Sequence, residues 1–164
     1  MREYTTKEVL LSNVPYAAMV ALGAAAIYLG GQAAPWAGVA AAGFVVYGVA
    51  GALWIMIFMC PYCAYYASRA CPCGYGVIAA RLVPKGECEC FAAKFKRHIP
   101  VIVPLWLIPA AVGGVALYRH FAWPLAAVLL AFAVDAYVIL PLLAKSHSCG
   151  DCPQRDGCPW MGKK

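Results

Sequence analysis

Four apolar runs restrict this chain more than any other feature of it. Val14 to Gly30, Pro35 to Met59, Ile99 to Tyr118 and Ala122 to Ala144 contain no Lys or Arg, and Asp135 is their single acidic residue. Wound as a helix, each run is long enough to cross about 30 Å of hydrocarbon. With 64% of 164 residues hydrophobic and 12% charged, the chain has too little polar surface to cover a soluble globule. The reading is an all-α integral membrane protein, a bundle of four transmembrane helices, with no room for a separate catalytic domain.

The links inside the pairs are only a few residues long, so the spans are expected as two helical hairpins. The chain then divides into an N-terminal segment (1–13), a first hairpin (14–59), a long loop (60–98), a second hairpin (99–144) and a tail (145–164). Charge orients them. Twelve of the 13 basic residues fall in the N-terminal segment, the long loop and the tail, which leaves Arg119 alone on the other side. By the positive-inside rule those three segments are cytoplasmic, in a multi-pass protein of the cell (inner) membrane. The net charge of +6 follows from this bias, helped by attraction of Lys94 to His98 to anionic lipid, and calls for no nucleic acid. A cleaved signal peptide is the rival reading of the N-terminus, because "YLGGQAAP" ends in small residues. Glu3 and Glu8 in the leader, and a matching segment later in the chain, speak for a retained span.

That match is an internal repeat. At an offset of 89 residues Val14-Pro15 aligns with Val103-Pro104, Pro35 with Pro124, and the pair Cys60 and Cys63 with Cys149 and Cys152. The two hairpins are therefore expected to be pseudo-equivalent, a parallel duplication about an axis along the membrane normal. Small residues four apart, Gly38 and Ala42, Gly48 and Ala52, Ala110 and Gly114, predict close helix packing.

All nine cysteines lie outside the spans: Cys60, Cys63, Cys71, Cys73, Cys88 and Cys90 in the loop, Cys149, Cys152 and Cys158 in the tail. Disulfides are disfavoured in the cytoplasm, so clustered thiols there point to metal or redox chemistry. Closely spaced pairs let two thiolates grip one metal while backbone N–H groups between them point back at sulfur. Four such pairs on one face predict a metal-binding cap with two centres. The run C-x2-C-x5-C from Cys149 to Cys158, followed by Pro159, favours iron–sulfur clusters, with zinc as the alternative. Two partitions stand open. Cys60, Cys63, Cys149 and Cys152 share one site and Cys71, Cys73, Cys88 and Cys90 another, or Cys149, Cys152 and Cys158 share a centre with one loop thiol. "CPYC" also matches the active-site motif of glutaredoxins, over four residues with no βαβ pattern around them. It keeps open a four-span thiol oxidoreductase beside a quinone, whose pairs would ordinarily face the oxidising side.

Asp135, in the middle of the fourth span, is a candidate proton relay or quinone or ion site, weighed against a protonated acid bonded to a neighbouring helix. His98 and His147, at span ends, are candidate metal ligands or quinone partners. Tyr62, Tyr65, Tyr66, Tyr75, Phe91, Phe95 and Trp160 surround the thiols, and Trp36 and Trp123 form the opposite aromatic belt. Glu87 and Glu89 flank Cys88 and Cys90 as solvated loop acids. The expected activity is electron transfer through iron–sulfur centres from a soluble cytoplasmic redox protein to a quinone or a partner subunit. The alternatives are a zinc-stabilised scaffold and soft-metal transport or sensing.

Overall fold

The computed structural model describes residues 2–32, 34–148, 152–155 and 158–159, the side chains of 147 and 148 excepted. Helices are the regular elements of the described residues, which contain no strand. The helices are α1 (Thr6–Gly30), α2 (Ala37–Phe58), α3 (Tyr75–Leu82), α4 (Phe91–His98), α5 (Pro104–Arg119), α6 (Trp123–Val134) and α7 (Leu140–Leu143). Tighter 3₁₀ turns at Cys60–Tyr62, Cys88–Cys90 and Ile99–Val101, and wider π turns at Asp135–Ile139 and Ala144–Ser148, extend them into four segments. Thr6–Gly30, Ala37–Tyr62, Cys88–Arg119 and Trp123–Ser146 are each long and apolar enough to cross a membrane.

The first of these starts at Thr6, eight residues before the expected Val14. The cause is a capping box. Thr5 Oγ1 accepts from the Glu8 amide at 3.4 Å, and Glu8 Oε2 accepts from the Thr5 amide at 2.8 Å. Arg2 pairs with the same carboxylate. The loop expected over 60–98 is helical in two places, α3 and α4.

Contacts divide the chain into two compact units. The first comprises Met1–Val14, Gly51–Val101 and Leu142–Lys164 and holds every cysteine. The second, Pro15–Ala50 with Ile102–Pro141, is built by close helix approach. A Cβ on Gly48 would lie 2.7 Å from Val20, and one on Gly23 would lie 2.6 Å from the Phe44 ring and 2.9 Å from Pro109. Tyr16 donates its hydroxyl to the Gly48 carbonyl at 2.7 Å, which satisfies a polar tip beside a close helix contact. Gly38 and Gly114, however, face no atom within 4 Å. Four-residue spacing of small residues identifies a face but not the neighbour, and the packing in α5 falls to Gly113, against Leu129.

Asp135 opens the π turn, where the Leu140 amide bonds back to the Asp135 carbonyl. Pro141 follows at once and has no N–H to give, so the carbonyls one turn before it need other donors. The Trp106 indole supplies one, reaching the Ala136 carbonyl at 3.3 Å, and Tyr137 answers by donating to the Trp106 carbonyl at 3.0 Å. Asp135 itself is 7% exposed, and its Oδ2 has no hydrogen-bond partner among the described residues.

Candidate functional site

The cysteine-bearing unit is built from the end of α2 outward. Met56 and Cys60 are buried with Ala79 of α3, flanked by Ala52, Ile55 and Tyr75. Apolar packing therefore fixes the first thiol at the point where the helix tightens into the turn Cys60–Tyr62. The chain then folds back through short turns, with the Cys63 amide on the Cys60 carbonyl at 3.1 Å and the Gly74 amide on the Cys71 carbonyl at 3.0 Å. Gly76 makes the return possible. A Cβ there would stand 2.2 Å from the Tyr65 carbonyl oxygen, so only glycine lets α3 begin this close to the preceding loop. The result brings Cys71 and Cys73 beside Cys60, and Cys71 beside Cys63 as well.

The N-terminal segment holds this fold-back from outside. Asn13 donates to the Cys73 carbonyl at 3.1 Å and the Tyr4 amide to the Arg69 carbonyl at 3.0 Å. Gly86 donates to the Pro61 carbonyl at 3.0 Å, and Lys94 lies over the Tyr62 ring at 4.9 Å. Tyr66 closes the loop through its hydroxyl on the Val83 carbonyl. The aromatic residues around the thiols are thus structural staples of the loop.

Gln154 fastens the tail to the loop. Gln154 Nε2 donates to the carbonyls of Tyr62 and Cys88, both at 3.1 Å, while its Oε1 accepts from the Ala64 amide at 2.9 Å. This sets Cys152 next to Cys63, with Cys88 on the same side, and Cys158 next to Cys152. Nothing in the sequence marked Gln154. Its only signal is its place between two cysteines of the tail.

Three sulfurs accept backbone N–H groups. Gly76 donates to Cys71 at 3.4 Å, Tyr65 to Cys63 and Gln154 to Cys152. Tyr65, itself buried, adds its hydroxyl to Cys152. Donors aimed at sulfur favour thiolate, and burial opposes it. Burial wins: it pushes the Cys63 thiol up to about 12 and raises that of Cys152. In both cases neighbouring thiols add to the rise. Cys90 gives its thiol to Glu87 at 3.9 Å. Cys88 is exposed.

The described cysteines are all free thiols. Among the described residues, no three Cys, His, Asp or Glu side chains converge closely enough to hold a metal ion. Cys149 and the side chain of His147 lie outside the described residues, as does Trp160. His98 stacks on Phe58 at the end of α2. Asp135 belongs to the other unit. Cys71 and Cys73 are electrostatic neighbours of Cys60, and Cys152, Cys71 and Cys88 of Cys63, while the symmetric partition turns on Cys149, which lies outside the described residues. No protein-family model, no curated protein and no solved structure matches the chain.

Proposed function

We propose that the cysteine-bearing unit is a metal–thiolate cap of the iron–sulfur type, on a four-span anchor, and that it passes electrons between a soluble cytoplasmic donor and a membrane acceptor. The observation that carries this reading is the set of backbone amides pointed at Cys63, Cys71 and Cys152. Amide donors to sulfur are the device by which proteins hold thiolate ligands and tune the potential of a cluster. In the metal-free chain burial and neighbouring thiols hold Cys63 and Cys152 in the protonated form, an arrangement that a cation would relieve by displacing their protons.

On this reading Cys60, Cys63, Cys71 and Cys73 hold one centre. Cys88, Cys90, Cys149, Cys152 and Cys158 supply the second. When bound, the iron would supply reversible one-electron chemistry, while the chain's own residues bury it and supply the N–H donors.

The hairpins and the repeat belong to the same proposal. Gly23 meets Pro109 and Gly30 meets Ala116, so α1 and α5 run in the same direction. Tyr16 and Gly48, then Gly23 and Phe44, bring α1 and α2 together in opposite directions, and Gly113 with Leu129 and Trp106 with Ala136 do so for α5 and α6. Each pattern is the one that two parallel-duplicated hairpins require.

Zinc is the second reading, favoured by the way Gln154 ties loop and tail into one structural piece. Metal and acid-labile sulfide analysis with a visible absorption spectrum, on anaerobically purified protein, decides between them. Iron and sulfide in comparable amounts in a coloured protein are expected. A colourless protein with stoichiometric zinc overturns electron transfer and leaves the scaffold.

A further inference from the structure

Three rings converge just before the first thiol. Trp54 and Phe58, one turn apart on α2, have centroids 4.2 Å apart. His98 at the end of α4 stacks on Phe58 at 5.0 Å with its plane 16° away, and stands 5.6 Å from Trp54. The Trp54 indole N–H is buried and has no hydrogen-bond partner among the described residues. A buried donor left unpaired pays its full desolvation cost, so it calls for an explanation. The imidazole of His98 makes ring contacts here but no hydrogen bond among the described residues. The cluster therefore pairs a flat apolar face with two polar groups that have nothing to bind.

We propose that Trp54, Phe58 and His98 bind the headgroup of a membrane quinone. The chemistry matches on each count. A planar ring is complementary to the stacked face of Phe58 and His98, and its carbonyl oxygens accept from the indole and imidazole. Lys94 and Arg97, the charged neighbours of His98 on α4, favour the negative end of a carbonyl dipole. Admission requires His98 to slide off Phe58, a rotation about its own χ angles at the end of a helix. An apolar helix end delivers the ring from the hydrocarbon, and Phe58 precedes Cys60 by two residues, about 3 Å of helix rise.

The proposal rests on the electron-transfer reading for its purpose, though binding alone does not need it. Reduction of a quinone to a quinol consumes two electrons and two protons. On that reading a metal held by the cysteines would supply the electrons one at a time, drawn from the soluble donor. The protons come from water by way of His98.

The test is calorimetric titration of the full-length detergent-solubilised protein with a benzoquinone bearing a short alkyl chain. Saturable one-site binding is expected, weakened about tenfold or more in Trp54→Phe and in His98→Ala. His98→Gln, which keeps a donor, should retain more affinity than His98→Ala, and Trp123→Phe should bind as the wild type does. Unchanged affinity in both site variants, with helical circular dichroism intact, overturns the site. So does a heat that phospholipid alone reproduces, which would identify a lipid ester carbonyl as the occupant. Protein that contains iron but binds no quinone refutes this site alone, and protein that binds quinone but contains no iron refutes the electron-transfer reading alone.

Discussion

Gln154 gives its side-chain amide to the carbonyl of Cys88 across 66 residues of sequence, at 3.1 Å. The same nitrogen serves Tyr62, and the oxygen takes the amide of Ala64, so one uncharged side chain satisfies three backbone groups of the loop. Replacing it by leucine leaves those groups without their partner and releases Cys152 from Cys63. The expected loss is about 1–3 kcal/mol of tail docking. Alkylation kinetics of Cys63 and Cys152 check this, with both thiols reacting faster in Gln154→Leu. Rates equal to the wild type's would show that the tail is held by something else.

Gly76→Ala is expected to be the most damaging single-methyl change in the cysteine-bearing unit. The added carbon would collide with the Tyr65 carbonyl, a backbone atom that cannot swing aside. Moving the start of α3 away costs the amide bond to Cys71 and the packing of Ala79 on Cys60, about 3 kcal/mol or more in sum. Limited proteolysis between 60 and 90 reports it. Gly38→Ala, which meets open space, serves as the control and should behave as the wild type.

Alkali should loosen the metal-free unit over a defined window. Burial pushes the Cys63 thiol up to about 12, from an ordinary value of 9.0. A folded-state value above the unfolded one means stability fully present below about pH 9 and lost as pH rises towards 12. Cys152 shifts in the same direction. Bound metal removes those protons, so the loaded protein should lack this alkaline loss, and metal affinity should rise with pH through the neutral range. Thermal unfolding scans of both forms from pH 7 to 11 measure the difference, and identical pH profiles would contradict it.

Asp135→Leu should stabilise the protein. The carboxyl is 7% exposed with one oxygen unpartnered, so its removal eliminates a buried polar group at no cost in hydrogen bonds to that oxygen. A gain of about 1–3 kcal/mol is the scale for such a group. A differential scanning measurement in detergent shows it as a raised Tm. A lowered Tm would mean that the acid holds the π turn together through a water or an ion.

Much of the fold was legible because spans declare themselves by composition. An apolar run without Lys or Arg has one stable answer in a bilayer, and all four runs took it. The start of α1 was legible in principle, since Thr5 and Glu8 stand at capping-box spacing before the run, but Lys7, Ser12 and Asn13 dilute the apolar signal there. The packing faces were less legible. Gly48 and Gly114 sit in equivalent small-residue pairs, yet one touches Val20 and the other nothing, because spacing along a helix carries no information on which side a neighbour stands. In the cysteine-bearing unit the residue types were plain and their grouping was not. The local turns from Ser68 to Gly76 bring Cys71 and Cys73 back towards Cys60, and a fold-back of this kind depends on one glycine contact that no spacing rule records. Gln154 was illegible for the same reason: its partners are carbonyls and an amide, which every residue has.

The hydrogen bond from Asn13 to the Cys73 carbonyl also sets an order in time. Sixty residues separate donor and acceptor, and most of α1 and all of α2 lie between them. During synthesis Asn13, near the start of α1, waits, with its carboxamide unclaimed by the loop, until the second span has been threaded and the turn beyond Cys71 has emerged. Contacts of such long range close late. The turn bearing Cys71 and Cys73 therefore takes its final shape only after α1 and α2 are both in place, which makes correct insertion of the first two spans a precondition for a finished thiol site.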